Sequence, residues 1–230
     1  MNEKQKIQLN QFTEGCQNSI PILLGYLPIG LAFGVLANNA GISPVNSLLM
    51  SLLVFAGASQ FIAIGLIEKG ITTFSIILTT FLVNSRHILM SASLSPYFQK
   101  INSWKSSLLS FGITDETFAL NSVELKEDQT KNHYYIAGVH LTAYIAWVSS
   151  TAIGAYLGNY VTNPNALGLN FALPAMFLAL IIIQITDKND ITVAITSMIT
   201  ILTLLPYLGS ELTLIVTTIF AATIGAVIKR

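Results

Sequence analysis

An all-α, polytopic integral membrane bundle is the fold class this sequence predicts, and three observations predict it. Of 230 residues, 53% are hydrophobic and only 10% charged, where a soluble domain carries about 25%. Mean hydropathy is +0.65. Seven apolar stretches, at 20–37, 48–67, 71–94, 134–158, 171–186, 191–208 and 212–228, are long enough or nearly so to cross about 30 Å of hydrocarbon. Turn chemistry separates them: Asn38-Asn39-Ala40-Gly41, Glu68-Lys69-Gly70, Asn163-Pro164-Asn165, Asp187-Lys188-Asn189-Asp190, and Pro206 with Gly209. The same composition excludes several functions. Eleven Lys+Arg against eleven Asp+Glu, with no basic run, leave nothing to neutralise nucleic-acid phosphates. A lone Cys16 makes neither a disulfide framework nor a thiolate metal site, and the absence of Gly-x-x-x-x-Gly-Lys-Ser/Thr excludes nucleotide hydrolysis by this motif. No metal or cofactor is expected.

Residues 1–19 are polar and read as a cytoplasmic or interfacial tail, followed by a retained first span rather than a cleaved leader. The short connections make one transmembrane domain of 1–230. Gly30-x-x-x-Gly34 ahead of one turn and Gly154-x-x-x-Gly158 ahead of another suggest a possible internal repeat. The segment near 105–122 is ambiguous. Trp104–Phe111 is apolar, but Asp115 and Glu116 follow at once, and a mid-bilayer Asp costs about 2.5–3.5 kcal/mol on insertion scales. It is either an eighth, protein-buried span or a re-entrant segment. With eight spans and the N-terminus inside, Lys4, Lys6, Lys69, Lys126, Lys131, Lys188, Lys229 and Arg230 lie inside and Lys100 and Lys105 outside. With seven, Lys4, Lys6 and Lys69 move outside, so charge alone leaves the choice open.

Polar groups within apolar runs mark the candidate site. In 48–67, Phe55-Ala56-Gly57-Ala58-Ser59-Gln60-Phe61 puts small and amide side chains near the midpoint. A break at Gly57 would create a half-helix N-terminus whose free N–H groups suit a carboxylate, with Phe55 and Phe61 beside it. Alternatively, these small residues let two helices approach, with Gln60 bonded across the interface. In 71–94, Asn84-Ser85-Arg86-His87 requires a buried partner or an aqueous cavity. Arg86 would act as an anion clamp or as a salt-bridge gate to Asp115 or Glu116, and His87 titrates near neutrality. The alternative is an Arg86 that snorkels to an interface. His140 starts a stripe with Tyr144, Trp147, Thr151, Gly154 and Gly158 that suits either a substrate path or a packing face.

These residues carry a resemblance. Pro28-Ile-Gly30-Leu-Ala-Phe33-Gly34, Phe55-Ala-Gly57-Ala-Ser59-Gln60, Asn84-Ser85-Arg86-His87, Thr114-Asp115-Glu116 and Phe171-Ala-Leu-Pro174-Ala-Met-Phe177 follow one another as in the AzlC family, which the chain resembles. The resemblance implies a secondary transporter in the bacterial cytoplasmic membrane. It would export leucine, isoleucine, valine or analogues, working with a small membrane subunit of the AzlD type. Export against a gradient needs energy and the sequence has no nucleotide-binding motif, so coupling to the proton gradient is expected, through His87 with Asp115 or Glu116 as its ionic neighbour. On the physical arguments given for these segments, rather than on the resemblance, substrate contacts would be Gly57, Ser59, Gln60, Phe55, Phe61 and Asn84, and gating or coupling groups Arg86, His87, Asp115, Glu116 and His140. The rivals are transport of another small organic solute, an intramembrane serine protease using Ser59 and His140, and a non-transporting membrane scaffold, which has no reason to place Arg86, His87, Asp115 and Glu116 in or beside hydrocarbon.

Overall fold

The computed structural model describes residues 2–98, 101–161, 163–185 and 187–228. Regular structure among them is helical throughout. It comprises α1 (Glu3–Asn18), α2 (Ile20–Asn39), α3 (Pro44–Val54), α4 (Gly57–Glu68), α5 (Thr73–Asn84), α6 (Arg86–Phe98), α7 (Ser103–Phe111), α8 (Asp115–Glu127), α9 (His133–Leu157), α10 (Ala172–Gln184) and α11 (Lys188–Ile228), with short 3-10 turns between α9 and α10. Contacts divide the chain into two units, Met1–Met176 and Phe177–Arg230. Four helical stretches among the described residues are long and apolar enough to cross a membrane: Ile20–Asn39, Thr73–Phe98, His133–Tyr160 and Lys188–Gly209.

The first unit is built on a parallel seam. Any Cβ at Gly15 would strike the backbone of Tyr135, at Gly30 the Ser150 hydroxyl, at Gly34 the backbone of Thr151 and Ala155, and at Gly158 the side chain of Asn38. Gly138 and Gly154 answer from the other side, against Phe12 and Leu31. Residue numbers rise together on both partners, so α1 and α2 run alongside α9 in the same direction. Lipid is as apolar as leucine, so helices in it associate by close packing, and glycine permits the backbone approach. The two Gly-x-x-x-Gly motifs, expected to mark equivalent places in two repeats, face each other across this seam. The expected polar tail is mostly α1, whose Asn2 capping box fixes its start. Lys131, held by Glu124 and Glu14, ties α1 and α8 to the start of α9.

The stretch 48–67, expected to cross as one span, instead doubles back. Gln60 Nε2 donates to Ser51 Oγ at 3.0 Å, whereas nine residues of continuous helix would separate them by about 13 Å. The turn has a local cause. Phe55 takes φ 29°, ψ 55° and Ala56 φ −143°, ψ 79°, outside the helical region, and a glycine follows. On the way down, Ser51 meets Thr151 at 2.9 Å and Phe55 meets Tyr144 at 5.1 Å between ring centroids. On the way back, Gly57 lies against Trp147 and Phe61 against Phe33 at 5.4 Å. Thus α3 runs against α9, and α4 returns along α2.

The ambiguous 105–122 segment is re-entrant as well. His140 bonds to Leu109 O through Nδ1 at 2.8 Å and to Asn121 Nδ2 through Nε2 at 2.9 Å. Leu109 and Asn121 would stand about 18 Å apart in one straight helix. Here α7 rises beside α9, with Lys105 near His133 and Tyr134 and Phe111 at 5.8 Å from Tyr144. After Gly112–Thr114, α8 descends past His140 to the Glu124–Lys131 pair. Between the two hairpins, α5 and α6 form one continuous stretch, long and apolar enough to cross a membrane, since Ser85 stays right-handed (φ −57°, ψ −25°). They separate the two hairpins along the chain: α4 leads into α5, and α6 leads toward α7.

In the second unit, α11 folds back at Gly209 (φ 70°, ψ 174°), just after Pro206. Gly225 then approaches Val193 to 3.7 Å from an added Cβ, which two arms of a hairpin allow and one straight helix does not. The expected spans 191–208 and 212–228 are these two arms.

Candidate functional site

The two re-entrant hairpins enter the first unit from opposite ends, and their tips meet. Phe55 at one tip and Phe111 at the other are 6.2 Å apart between ring centroids. Between the tips lies a cavity lined by Tyr26, Phe55, Ala56, Gly57, Ala58, Arg86, His87, Thr114, Asp115, Glu116, Trp147 and Met176. Its volume is about 20 Å³, room for about one water, so the site is closed around its own side chains.

Each wall has a reason in the local sequence. Helix α4 begins at Gly57 with no side-chain cap, because its N-cap residue is Ala56, which has no side-chain acceptor; Ser59 Oγ in the first turn donates back to Ala56 O at 2.9 Å. The N–H groups of its first turn therefore have no intrahelical acceptor. A Cβ on Gly57 would stand 2.7 Å from the Trp147 ring, so only glycine lets the tip sit there. Helix α8, by contrast, is capped: Thr114 and Thr117 exchange backbone and hydroxyl bonds in a capping box. Asp115 and Glu116 occupy its first turn, where a helix end favours negative charge.

The charged groups are arranged unequally. Arg86 Nη2 meets Asp115 Oδ2 at 2.7 Å, a charge-assisted pair at hydrogen-bond length. Glu116 Oε2 instead accepts from the phenol of Tyr26 at 2.6 Å, and that phenol also bonds Thr114 Oγ1 at 2.8 Å. Arg86 Nε is buried without a partner among the described residues. Tyr26 is 4% exposed and packs edge-on to Trp147 at 5.3 Å.

The structure thus gathers Phe55, Gly57, Arg86, His87, Asp115 and Glu116 at one cavity, and of the two acids offered to Arg86 it pairs Asp115. It separates the rest. Gln60 is buried between Ser51 and Trp147, whose indole N–H donates to Gln60 Oε1 at 2.9 Å. Phe61 packs on Phe33. Asn84 donates to Ser59 Oγ at 3.1 Å, and its Oδ1 is left without a partner. These four lie behind the tip, as supports rather than lining. His140 also lies outside the cavity. A carbonyl can only accept, so Nδ1 carries the proton toward Leu109 O and Nε2 accepts from Asn121, which makes the ring a neutral strut. Ser59 and His140 are each bonded elsewhere, so no serine–histidine dyad exists. No cluster of metal-ligating side chains occurs among the described residues.

One lining residue escaped the sequence reading altogether, Tyr26, while Thr114, Trp147 and Met176 entered it only as parts of a motif or a stripe. The signal for Tyr26 was present: it is the only side chain with a polar atom in the run Ile20–Ala37.

Fold and site define a polytopic helical membrane protein that encloses a charged centre between discontinuous helices. The chain belongs to the AzlC protein family, which matches residues 21–161, the segment from α2 through both hairpins to the end of α9. It is 33% identical over 189 residues to the inner membrane protein YgaZ of Escherichia coli, covering 79% of this chain and 76% of that one. It is 35% identical over 180 residues to an uncharacterized membrane protein of Archaeoglobus fulgidus, covering 77% and 78%. With the branched-chain amino acid transport protein AzlC of Bacillus subtilis it shares 29% identity over 184 residues, covering 80% and 71%. No solved structure matches the chain.

Proposed function

We propose that the protein is a proton-coupled secondary transporter that exports leucine, isoleucine, valine or close analogues across the bacterial cytoplasmic membrane, as the large subunit of a pair with a small AzlD-type membrane protein. The observation that carries the reading is the closed, charged cavity between two hairpin tips. One tip offers uncapped N–H groups of α4, suited to a carboxylate. The other offers Asp115 and Glu116, and aromatic rings close the remaining sides. A zwitterion with an apolar side chain matches that mixture. The substrate named for the Bacillus subtilis relative supports the same choice, while the outward direction and the small partner rest on the family resemblance. Single methylenes are worth only about 1–3 kcal/mol in such a pocket, so several branched-chain amino acids should compete.

Orientation follows from lysines at the ends of the first unit. Lys6, Lys105, Lys126 and Lys131 flank the start of α9, whereas Lys69 follows α4 at the opposite end. The positive-inside rule then puts the start of α9 in the cytoplasm. The test is binding and counterflow of leucine against its amide and methyl ester, with and without the small subunit. Leucine should bind best and flux should require both chains. Equal binding of the neutralised analogues, or full flux from this chain alone, refutes the corresponding part of the reading. A Gly57→Leu variant is a poor probe here, since its side chain would strike Trp147.

A further inference from the structure

We propose that Glu116 is the single position at which the substrate's ammonium group and the transported proton exclude one another, and that this exclusion couples export to proton entry. The inference rests on the transporter reading above and assigns its coupling residue.

Charge bookkeeping in the cavity leads to Glu116. The groups facing it are Tyr26 from α2, Arg86 and His87 from α6, and Thr114 and Asp115 from its own helix; α3, α4 and α9 contribute only Phe55, Ala56, Gly57, Ala58 and Trp147. Arg86 is committed to Asp115, and no Lys, Arg or His among the described residues forms an ion pair with Glu116. With His87 neutral the lining carries one unbalanced negative charge, which an enclosed, membrane-embedded site does not hold cheaply. Either a proton or a ligand cation cancels it. An α-amino acid supplies that cation, and its carboxylate can then reach the α4 tip opposite. Tyr26 fixes one Glu116 oxygen by donating to it, which orients the carboxyl without neutralising it.

One carboxylate cannot hold both a proton and an ammonium ion. On the acidic outer side, protonation of Glu116 expels the amino acid. On the inner side, proton release lets the next one bind. One proton enters for each zwitterion that leaves: proton and ammonium cancel the Glu116 charge in turn, and the substrate's own carboxylate is met by the free N–H groups at the start of α4, so each cycle carries one net positive charge inward.

The test measures labelled-leucine binding to the membrane-reconstituted transporter from about pH 5 to about pH 8, with 4-methylpentanoate, which lacks the ammonium group, as competitor. In the wild type, leucine affinity should fall on acidification by up to about tenfold per pH unit, and 4-methylpentanoate should compete poorly. Glu116→Gln should weaken leucine by about tenfold or more, abolish the pH response, and let 4-methylpentanoate compete as well as leucine. Glu116→Asp should bind more weakly yet keep the pH response, which separates charge from folding, and His87→Gln should keep it too. Wild-type affinity and pH response in Glu116→Gln would overturn the proposal. So would equal loss of binding in both Glu116 variants, or a pH response lost in His87→Gln. A folded wild type that binds no leucine would instead refute the transporter reading itself.

Discussion

Replacing His140 by leucine tests the re-entrant geometry of α7 and α8 through its energetics. The ring joins the two arms, Leu109 O on one and Asn121 on the other. Their losses are unequal. Leu109 O also accepts from Gly112 N at 3.0 Å and keeps that bond. Asn121 is 0% exposed and its Oδ1 already lacks a partner, so the variant strands the whole amide. A stranded buried polar group costs about 1–3 kcal/mol, and interhelical bonds in membranes average about 0.6 kcal/mol with a maximum near 1.7. We therefore expect His140→Leu to destabilise by about 1–2 kcal/mol. Asn121→Leu should cost less, and the double variant should cost less than the two together, with a coupling of about 1 kcal/mol. Unfolding of the purified protein in mixed micelles measures stability, and leucine counterflow reports whether the hairpin tip has moved. Additivity within about 0.3 kcal/mol would mean that the ring does not bridge the arms, and the re-entrant assignment of α7 and α8 would fall with it.

Four further outcomes follow from the same geometry. Single cysteines at Gly41 and Gly70 should label from one side of the membrane and cysteines at Ser103 and Asp128 from the other; labelling of Gly41 and Gly70 from opposite sides would show that 44–68 crosses as a span. Gly34→Leu should cost at least about 1–3 kcal/mol, because its side chain meets the α9 backbone, whereas Gly65→Ala, in open space within α4, should be neutral or gain up to about 1 kcal/mol in thermal unfolding. Arg86→Ala should abolish counterflow and Arg86→Ala/Asp115→Ala should recover stability but not transport; recovery of both would make the pair merely structural. Cysteines at Phe55 and Phe111, in a Cys16→Ser background, joined by a short reducible bifunctional thiol crosslinker, should stop counterflow until reductant is added, and unimpaired flux in the crosslinked form would show that the tips need not part.

Much of the site was legible because buried charge in a bilayer is rare and needs a reason. Arg86, Asp115 and Glu116 stood out against hydrocarbon, and the break at Gly57 followed from small residues at mid-span. The direction of the chain after the break was not legible. Composition in 48–67 is that of a spanning helix, and a turn back at Phe55 depends on tertiary partners: the Ser51–Gln60 bond and the Trp147 ring against Gly57. Gln60 and His140 were read as candidate functional groups because they are polar and deep. Depth alone does not distinguish lining from support; the bonds they make do, and those bonds join residues far apart in sequence. Tyr26 shows the converse. One phenol in an apolar run looks like an interfacial anchor until the segment 114–116 is brought back to it.

The closed cavity constrains what can move. A leucine does not fit in the space of one water, so the tips must part before any substrate enters. Sliding α2 along α9 is opposed along their whole contact, because glycines on both helices bring backbone against backbone and any shift meets atoms at van der Waals contact. The hairpins are less constrained at their tips. Helix α4 starts without a cap, Phe55 sits at a strained positive φ, and α7 has no fully buried residue. Each hairpin is anchored to the seam by a few polar side chains, Ser51 on Thr151 and Gln60 on Trp147 in the first, His140 on Leu109 O and Tyr26 on Thr114 and Glu116 in the second. Since they enter from opposite ends, withdrawal of one tip opens the cavity to one side while the other still closes it. A carboxylate whose charge must be met by a proton or an ammonium ion before both tips close, as proposed for Glu116, then determines which occupied states can cross.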